Sequence, residues 1–357
     1  MNRKKVLVAA LSWGLGHATR CIPVIRAFER RGCDVAFASD GASLLLLKKE
    51  FPHLKAFELP PYGVVYWKKL PMTIGIALQL PKVLRNIKKE RVFMRTLQET
   101  ERFEVIVSDC RFGCFVPGAI NVYLTHQTVI RFPRFLRMFE GAGAALHAMV
   151  WKKFDRVWVI DRTGEAALSG EMGHSCKHSK ITYIGILSRF TAGQTMEKTI
   201  DVCFLLSGPE PLRTMFEKDV TGHAWPGHKK YYLVRGLPQS EESLALPGHW
   251  TVANHVPSDE LRRALLSSKM IVCRSGYSTI MDLARLGLRA TLVPTPGQPE
   301  QEYLASHVSG ILHFSGLTQR EFARNGVEVR ETPGYEPYHE KDDDDMLTAA
   351  INGVLAL

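Results

Sequence analysis

Apolar residues along the chain fall into two alternating patterns. Short unbroken runs such as "KVLVAAL" read as strands buried on both faces. They are predicted at Lys5–Leu11, Asp34–Ser39, Leu54–Leu59, Glu104–Ser108, Val122–Thr125, Arg156–Ile160 and Ile181–Ile184. In the second half they fall at Asp201–Leu206, Lys230–Val234, Thr251–Asn254, Met270–Cys273, Ala290–Val293 and Ile311–Phe314. Between them apolar positions recur at helical spacing. Ala18, Cys21, Ile22, Ile25 and Phe28 share one face of such a helix, with Pro23 expected to kink it or delay its start.

Strands alternating with helices imply parallel sheets covered on both sides, an α/β class. The alternation stops near Ile186 and resumes near Ile200, and "LSRFTAGQTMEKT" between them is polar and aperiodic. The expected organisation is a Rossmann-like domain over residues 1–187, a linker over 188–199 and a second Rossmann-like domain over 200–340. A C-terminal helix over 341–357 is expected to pack back across a central cleft. Its "DDDD" run suits a helix N-terminus better than a metal site. In such sheets ligands bind beyond the carboxyl ends of the strands.

The 357 residues carry a formal net charge of +10, which favours phosphate-bearing ligands, nucleic acid or an anionic membrane. Nucleic acid is the weakest of these, since zinc-finger spacing and RNA-binding signatures are missing. No apolar run reaches the length of a membrane span, and the N-terminus fits a first strand better than a signal peptide. Seven cysteines without regular spacing fit free thiols in a reducing cytoplasm. One stretch, Tyr62–Leu97, mixes aromatic and aliphatic residues with Lys68, Lys69, Lys82, Arg85, Lys88, Lys89 and Arg91. It reads equally well as a helical pair with solvated lysines or as a peripheral membrane patch.

Two strand ends carry the chemistry. In "LSWGLGHATR", Gly14 and Gly16 turn the chain from strand into helix, exposing amides that hold an anion or a polar substrate group. His17 in the first turn has the near-neutral pKa of an acid–base catalyst. Asp109 ends another strand and is either a turn cap or a second candidate base. In "MIVCRSGYSTIMDLARLGLRATLVPTPGQPEQEYLA", a strand ends at Arg274, Ser275 and Gly276 turn, and Ser278 and Thr279 open a helix. Those amides and hydroxyls suit a pyrophosphate, and Asp282 one turn further suits ribose hydroxyls. The loop Thr295–Glu300 brings Gln301 and Glu302 to the same rim. "MGHSCKH" alternates His174, Cys176 and His178 but lacks a fourth zinc ligand nearby.

This second segment resembles the donor half of the MurG-type glycosyltransferases, family 28, which have the two-domain GT-B fold. That family follows its Ser-Gly turn with a ribose-binding acid seven residues after the serine, matched here by Ser275 and Asp282, an aspartate in place of the usual glutamate. It then has Val-Pro, a six-residue loop and two glutamines for the donor sugar. Here Val293-Pro294 leads to Gln301 and Glu302, so the second glutamine has become an acid. "NHVPSDEL" resembles the segment whose backbone reads uracil, which places His255 and Val256 at the base. "LLSGPEPLRT" takes the place of a glycine-rich turn, with Ser207, Gly208 and Arg213 near the phosphates. "GLGH" resembles the family's glycine-rich loop, and "THQT" resembles its acceptor segment, which gives His126 and Gln127 acceptor contacts beside Gly14 and Gly16. The Tyr62–Leu97 stretch lies where the family carries its membrane patch. "GLGHATRC" is also similar to the start of PseG-type nucleotide-sugar hydrolases on the same fold.

The resemblance implies inverting transfer of a hexose or N-acetylhexosamine from a UDP-sugar to an acceptor, in one form a lipid-linked sugar. Leaving-group charge would rest on the helix N-terminus at Ser278–Thr279 and on Arg213 or Arg274. No pair of metal-binding carboxylates stands out, so neither metal nor cofactor is expected. Hydrolysis, epimerisation on the same fold and a silent binding module are the alternatives. The expected location is cytoplasmic, at the inner face of the membrane if the patch binds lipid.

Overall fold

A computed structural model describes residues 3–65, 75, 78–129, 138, 140–192, 195–329, 331, 333–335, 337–338 and 340–357. The chain divides into two compact units. One takes its chain from the N-terminal half through Leu187 and again from Lys341 to Leu357, and the other spans Ser188–Glu340. Residues 341–357 thus group with the first unit, and the polar stretch 188–199 with the second.

The first unit holds β1 (Lys5–Ala10), α1 (Leu15–Glu29), β2 (Asp34–Ser39), α2 (Gly41–Glu50), β3 (Lys55–Glu58), α3 (Leu80–Glu101), β4 (Val105–Asp109), β5 (Ile120–Thr125), α4 (Glu140–Trp151), β6 (Arg156–Val159), α5 (Glu171–His174) and β7 (Ile181–Tyr183). Its seven strands lie in the order β3-β2-β1-β4-β5-β6-β7, all parallel. Val6 to Ala10 have no solvent exposure, which is why the run lacks polar alternation. Leu7, Ala9, Ile106 and Ala38 pack against Met94 and Leu97 of α3 in one core layer. The five apolar positions read on α1 are all buried, but the helix starts at Leu15 and continues through Pro23. The expected late start does not occur, because the missing donor at Pro23 lies eight residues inside a helix already fixed by its buried face.

The second unit holds β8 (Ile200–Leu205), α6 (Leu212–Thr221), β9 (Tyr231–Val234), β10 (Trp250–Ala253), α7 (Ser258–Leu266), β11 (Ser268–Cys273), α8 (Tyr277–Leu286), β12 (Thr291–Leu292), α9 (Pro299–Leu312), β13 (Ser315–Gly316) and α10 (Gln319–Asn325). The strand order is β10-β9-β8-β11-β12-β13, again parallel. Phe204, Phe216, Val220, Tyr231 and Phe322 form the centre of its core. The strand expected at Ile311–Phe314 is not there. Leu304 and Val308, fully buried at helical spacing, carry α9 through Leu312, and His313 at φ 55° ends it. The edge strand is the shorter Ser315–Gly316.

A last helix, α11 (Glu340–Leu355), closes the chain. Asp343 is buried in it and binds Arg162 at 2.7 and 2.8 Å while accepting the Ile186 amide at 3.0 Å. One of the four aspartates is therefore a clasp within the first unit, beyond the dipole role expected of all four.

Candidate active site

In each sheet the strand order reverses once, between β1 and β4 and between β8 and β11. The carboxyl ends flanking such a reversal are where open α/β sheets bind ligands. Both sequence-predicted clusters lie there.

In the first unit, Ala10 and Asp109 are register partners, and the Leu11 amide donates to the Asp109 carbonyl at 3.2 Å. Gly14, at φ 141° and ψ 156°, is the N-cap of α1, in a region that only glycine adopts without strain. His17 and Arg20, three apart on α1, lie on one face. Arg20 Nε donates to both Asp109 oxygens at 3.0 Å, and Nη2 donates to Oδ1. His17 Nδ1 lies 2.9 Å from Asp109 Oδ2 and 2.8 Å from Arg20 Nη2. Arg20 Nη1 lies 2.8 Å from His126 Nδ1, just past the end of β5, and Gln127 Nε2 is 3.1 Å from His126 Nε2. Four of the predicted residues, His17, Asp109, His126 and Gln127, are thus gathered around a guanidinium that sequence reasoning left without a role. The signal was present in Arg20's i+3 spacing from His17.

The electrostatics follow from burial. Asp109 is fully buried, which by itself raises its pKa, but Arg20 and then His17 overcome this and hold it at about 2. His17 is lowered below 6.5, first by burial and then by Arg20, against the opposing pull of Asp109. Its side chain keeps 19% of its exposure while Asp109 has none, so of the two only the histidine is open to solvent. Cys110, at φ 55°, follows directly, and burial and then Asp109 push its thiol up to about 12. The ligand atoms of His17, Asp109 and Cys110 come within 4.8 Å of one another. A protonated thiol and a carboxylate already neutralised by a guanidinium do not suit a cation.

In the second unit, Gly276 caps α8 and Ser278 and Thr279 sit half-buried in its first turn. A methyl group on Gly276 or Gly208 would meet no atom within 4 Å, so both strand ends leave room over their backbone. Ser207 and Gly208 follow β8, and Gly208 has φ 109°. The buried Ser275 hydroxyl donates to the Gln301 carbonyl at 2.8 Å. Gln301 Oε1 accepts the Thr295 amide at 2.8 Å, and Glu302 Oε1 accepts the Gly297 amide at 3.1 Å. The loop between is therefore closed on itself, beside a cavity of about 670 Å³ lined in part by Glu302, Ser306, Phe314 and Arg320. Val256 is buried and His255 half-buried at the turn into α7.

Three predicted donor residues are engaged within the protein. Arg213 donates to Glu210 at 2.5 Å and Glu217 at 2.6 Å. Arg274, 1% exposed, donates to the carbonyls of Val293, Pro294 and Leu212 and to Gln319, and lies 4.1 Å over the Phe216 ring. Burial lowers it to about 10, against the nearby Asp219 carboxylate. Asp282 accepts from Ser188 Oγ at 2.7 Å and Arg189 Nε at 3.3 Å, and burial raises its pKa against both.

Residues 256–323, which run from α7 through β13 into α10, match the glycosyltransferase family 28 C-terminal domain. The chain is a glycosyltransferase of the GT-B type. Its fold is shared by the glycosyltransferase SnogD from Streptomyces nogalater, at a TM-score of 0.60 and 12% identity over 99% of this chain and 96% of that one. A kitacinnamycin glycotransferase aligns at 0.58 and 17% identity over 100% and 96%. The spinosyn rhamnosyltransferase SpnG complexed with thymidine diphosphate aligns at 0.56 and 14% over 99% and 92%. No curated protein matches the chain in sequence. Among the described residues, no helix is long and apolar enough to cross a membrane.

Proposed function

We propose that this glycosyltransferase moves a hexosyl or N-acetylhexosaminyl group from a UDP-sugar to an acceptor hydroxyl with inversion, using no metal. The observation that carries this reading is the open backbone at Gly276 before the N-terminus of α8, at the reversal point of the second sheet. A helix N-terminus there offers amides and a positive dipole end to a diphosphate leaving group. The thymidine diphosphate held by SpnG supports a nucleoside diphosphate of this kind. Ser278 and Thr279 add hydroxyls, Gly208 allows close approach, and His255 and Val256 take the uracil. Asp282 takes ribose by exchanging Ser188 or Arg189 for sugar hydroxyls. Gln301 and Glu302 hold the donor sugar. Arg213 and Arg274 brace the strand ends that shape the site.

In the first unit Asp109 orients His17, which removes the acceptor proton as the new glycosidic bond forms. Gly14 and Gly16 keep the backbone beside it thin, and His126 and Gln127 contact the acceptor. A lipid-linked acceptor matches the surface of α3, where Leu80, Leu84 and Val92 are exposed beside Arg85, Lys88 and Lys89. Lys68 and Lys69 of the same predicted patch lie outside the described residues. In this reading the protein attaches to the anionic inner face of the membrane from the cytoplasm through that surface. Reversing Lys88 and Lys89 to Glu should weaken binding to anionic vesicles about tenfold or more, at roughly 1 kcal/mol per lysine; unchanged binding overturns the membrane role.

The decisive experiment is a thermal-shift screen of nucleoside diphosphates and their sugars on the wild type and Gly276→Val. The backbone at Gly276 has φ −72° and ψ 138°, which valine adopts, and the added side chain enters the space assigned to phosphate. Stabilisation by UDP in the wild type, lost in a variant of unaltered intrinsic stability, supports the reading. Equal stabilisation of both removes the phosphate from this helix. Product analysis of the stabilising sugar nucleotide then separates transfer from hydrolysis.

A further inference from the structure

Two buried aspartates hold the chain where it passes from the first unit into the second, one on each side of the crossing. In the first unit Asp343 accepts the Ile186 amide at 3.0 Å, and a methyl group on Gly185 would come within 2.7 Å of its Cα. In the second unit Asp282 accepts the Ser188 hydroxyl at 2.7 Å and Arg189 Nε at 3.3 Å. The Ser188 oxygen also accepts the Phe190 amide at 3.1 Å, so one hydroxyl ties the carboxylate to the turn that follows. Leu187 lies between the two grips, and the units divide directly after it.

The second grip is poorly made. Asp282 sits in the middle of α8 with 6% of its surface exposed. Ser188 gives it one good donor, but the Arg189 contact is longer than an ordinary N–H···O bond. Burial outweighs both partners and raises the carboxyl pKa. A carboxylate has about four acceptor positions, so Asp282 is short of donors and not of lone pairs. The residues bonded to it, Ser188 and Arg189, are both half-buried, and a ligand arriving from solvent meets them first.

We propose that Ser188 is a built-in occupant of the ribose site, and that a donor nucleotide reaches Asp282 by displacing it and so unfastens the second unit's end of the crossing. This rests on the reading above that Asp282 takes the ribose. A vicinal diol brings two hydroxyl donors where Ser188 brings one, so the exchange leaves the carboxylate better bonded. It leaves the Phe190 amide without its acceptor. Asp343 keeps its hold on Ile186, because nothing in the exchange touches the first unit. The loosened segment therefore begins at Ser188. Donor affinity and the hold on the crossing oppose each other, since the same carboxylate serves one or the other.

The test is calorimetric binding of UDP to the full chain and to its Ser188→Ala variant. Losing the competing hydroxyl should tighten UDP about tenfold, the scale of one hydrogen bond to a charged group. A merely structural Ser188 would loosen the site or leave it unchanged, and either result overturns the proposal. Uridine diphosphate lacking both the 2′ and 3′ hydroxyls has nothing to exchange and should bind the two proteins equally. An equal gain for that nucleotide also overturns the proposal. Amide hydrogen exchange of the wild type reads the same step without a variant. UDP should speed exchange at the Phe190 amide severalfold, where a ligand that only rigidifies its surroundings slows it; slowed or unchanged exchange overturns the proposal. UDP that binds the wild type with no gain in Ser188→Ala defeats this inference alone. A wild type that binds neither nucleotide defeats the functional reading and this inference with it.

Discussion

Asp109 binds Arg20 in a setting with almost no solvent, at 0% and 2% exposure. Replacing it by Asn keeps the shape and removes the countercharge, leaving a buried guanidinium uncompensated. Asp109→Asn should cost about 3–5 kcal/mol in denaturant unfolding of the first unit, and activity should fall with it. The pH dependence has a defined sign. Asp109 is held at about 2 against 3.8 in the unfolded chain, so it adds about 2 kcal/mol above pH 3.8 that is lost as pH falls toward 2. His17 is also depressed, and the unfolded chain takes its proton first. Stability should therefore already decline just below pH 6.5, and His17→Gln should flatten that part of a stability–pH curve. A decline unchanged in the variant assigns it to other groups. His17 and Asp109 stood out in the sequence because one sits in the glycine turn behind an apolar run and the other ends one. The roles of Arg274 and Asp282 did not, because their partners Gln319 and Ser188 come from other elements that no local spacing links to them.

Glycines test how elements are joined. At Gly14 the backbone is strained for any other residue, but an added methyl meets nothing. Gly14→Ala should cost about 1–3 kcal/mol from conformation alone. At Gly185, φ is 75° and the methyl would come within 2.6 Å of Asp343 Oδ1 and 2.7 Å of its Cα. Gly185→Ala therefore adds a clash with α11 to the same strain, and its unfolding cost should exceed that of Gly14→Ala. Equal losses in the two denaturation curves mean that α11 yields without cost. The strands were mostly readable to within two residues, since burial on both faces writes itself as an unbroken apolar run. The failure at Ile311–Phe314 has the matching cause: a buried helix end and a short strand show the same few apolar letters. Only Leu304 and Val308, a full turn and more upstream, distinguish them.

At the scale of the molecule, the two doubly wound sheets and their reversal points follow from the order of strands and helices, and that much was predictable. The clasp that holds the last helix in the first unit was not, because Asp343 finds Arg162 across 181 residues of chain. Its effect is topological: the polypeptide leaves the first unit after Leu187 and re-enters it at Lys341, so the second unit is an insertion with two crossings rather than an appended half. A chimera that exchanges the second unit for that of another protein of this fold therefore needs two splice points, near 187/188 and 340/341. A graft that carries the foreign C-terminus along would strand Arg162 and the Ile186 amide without the carboxylate that now answers both.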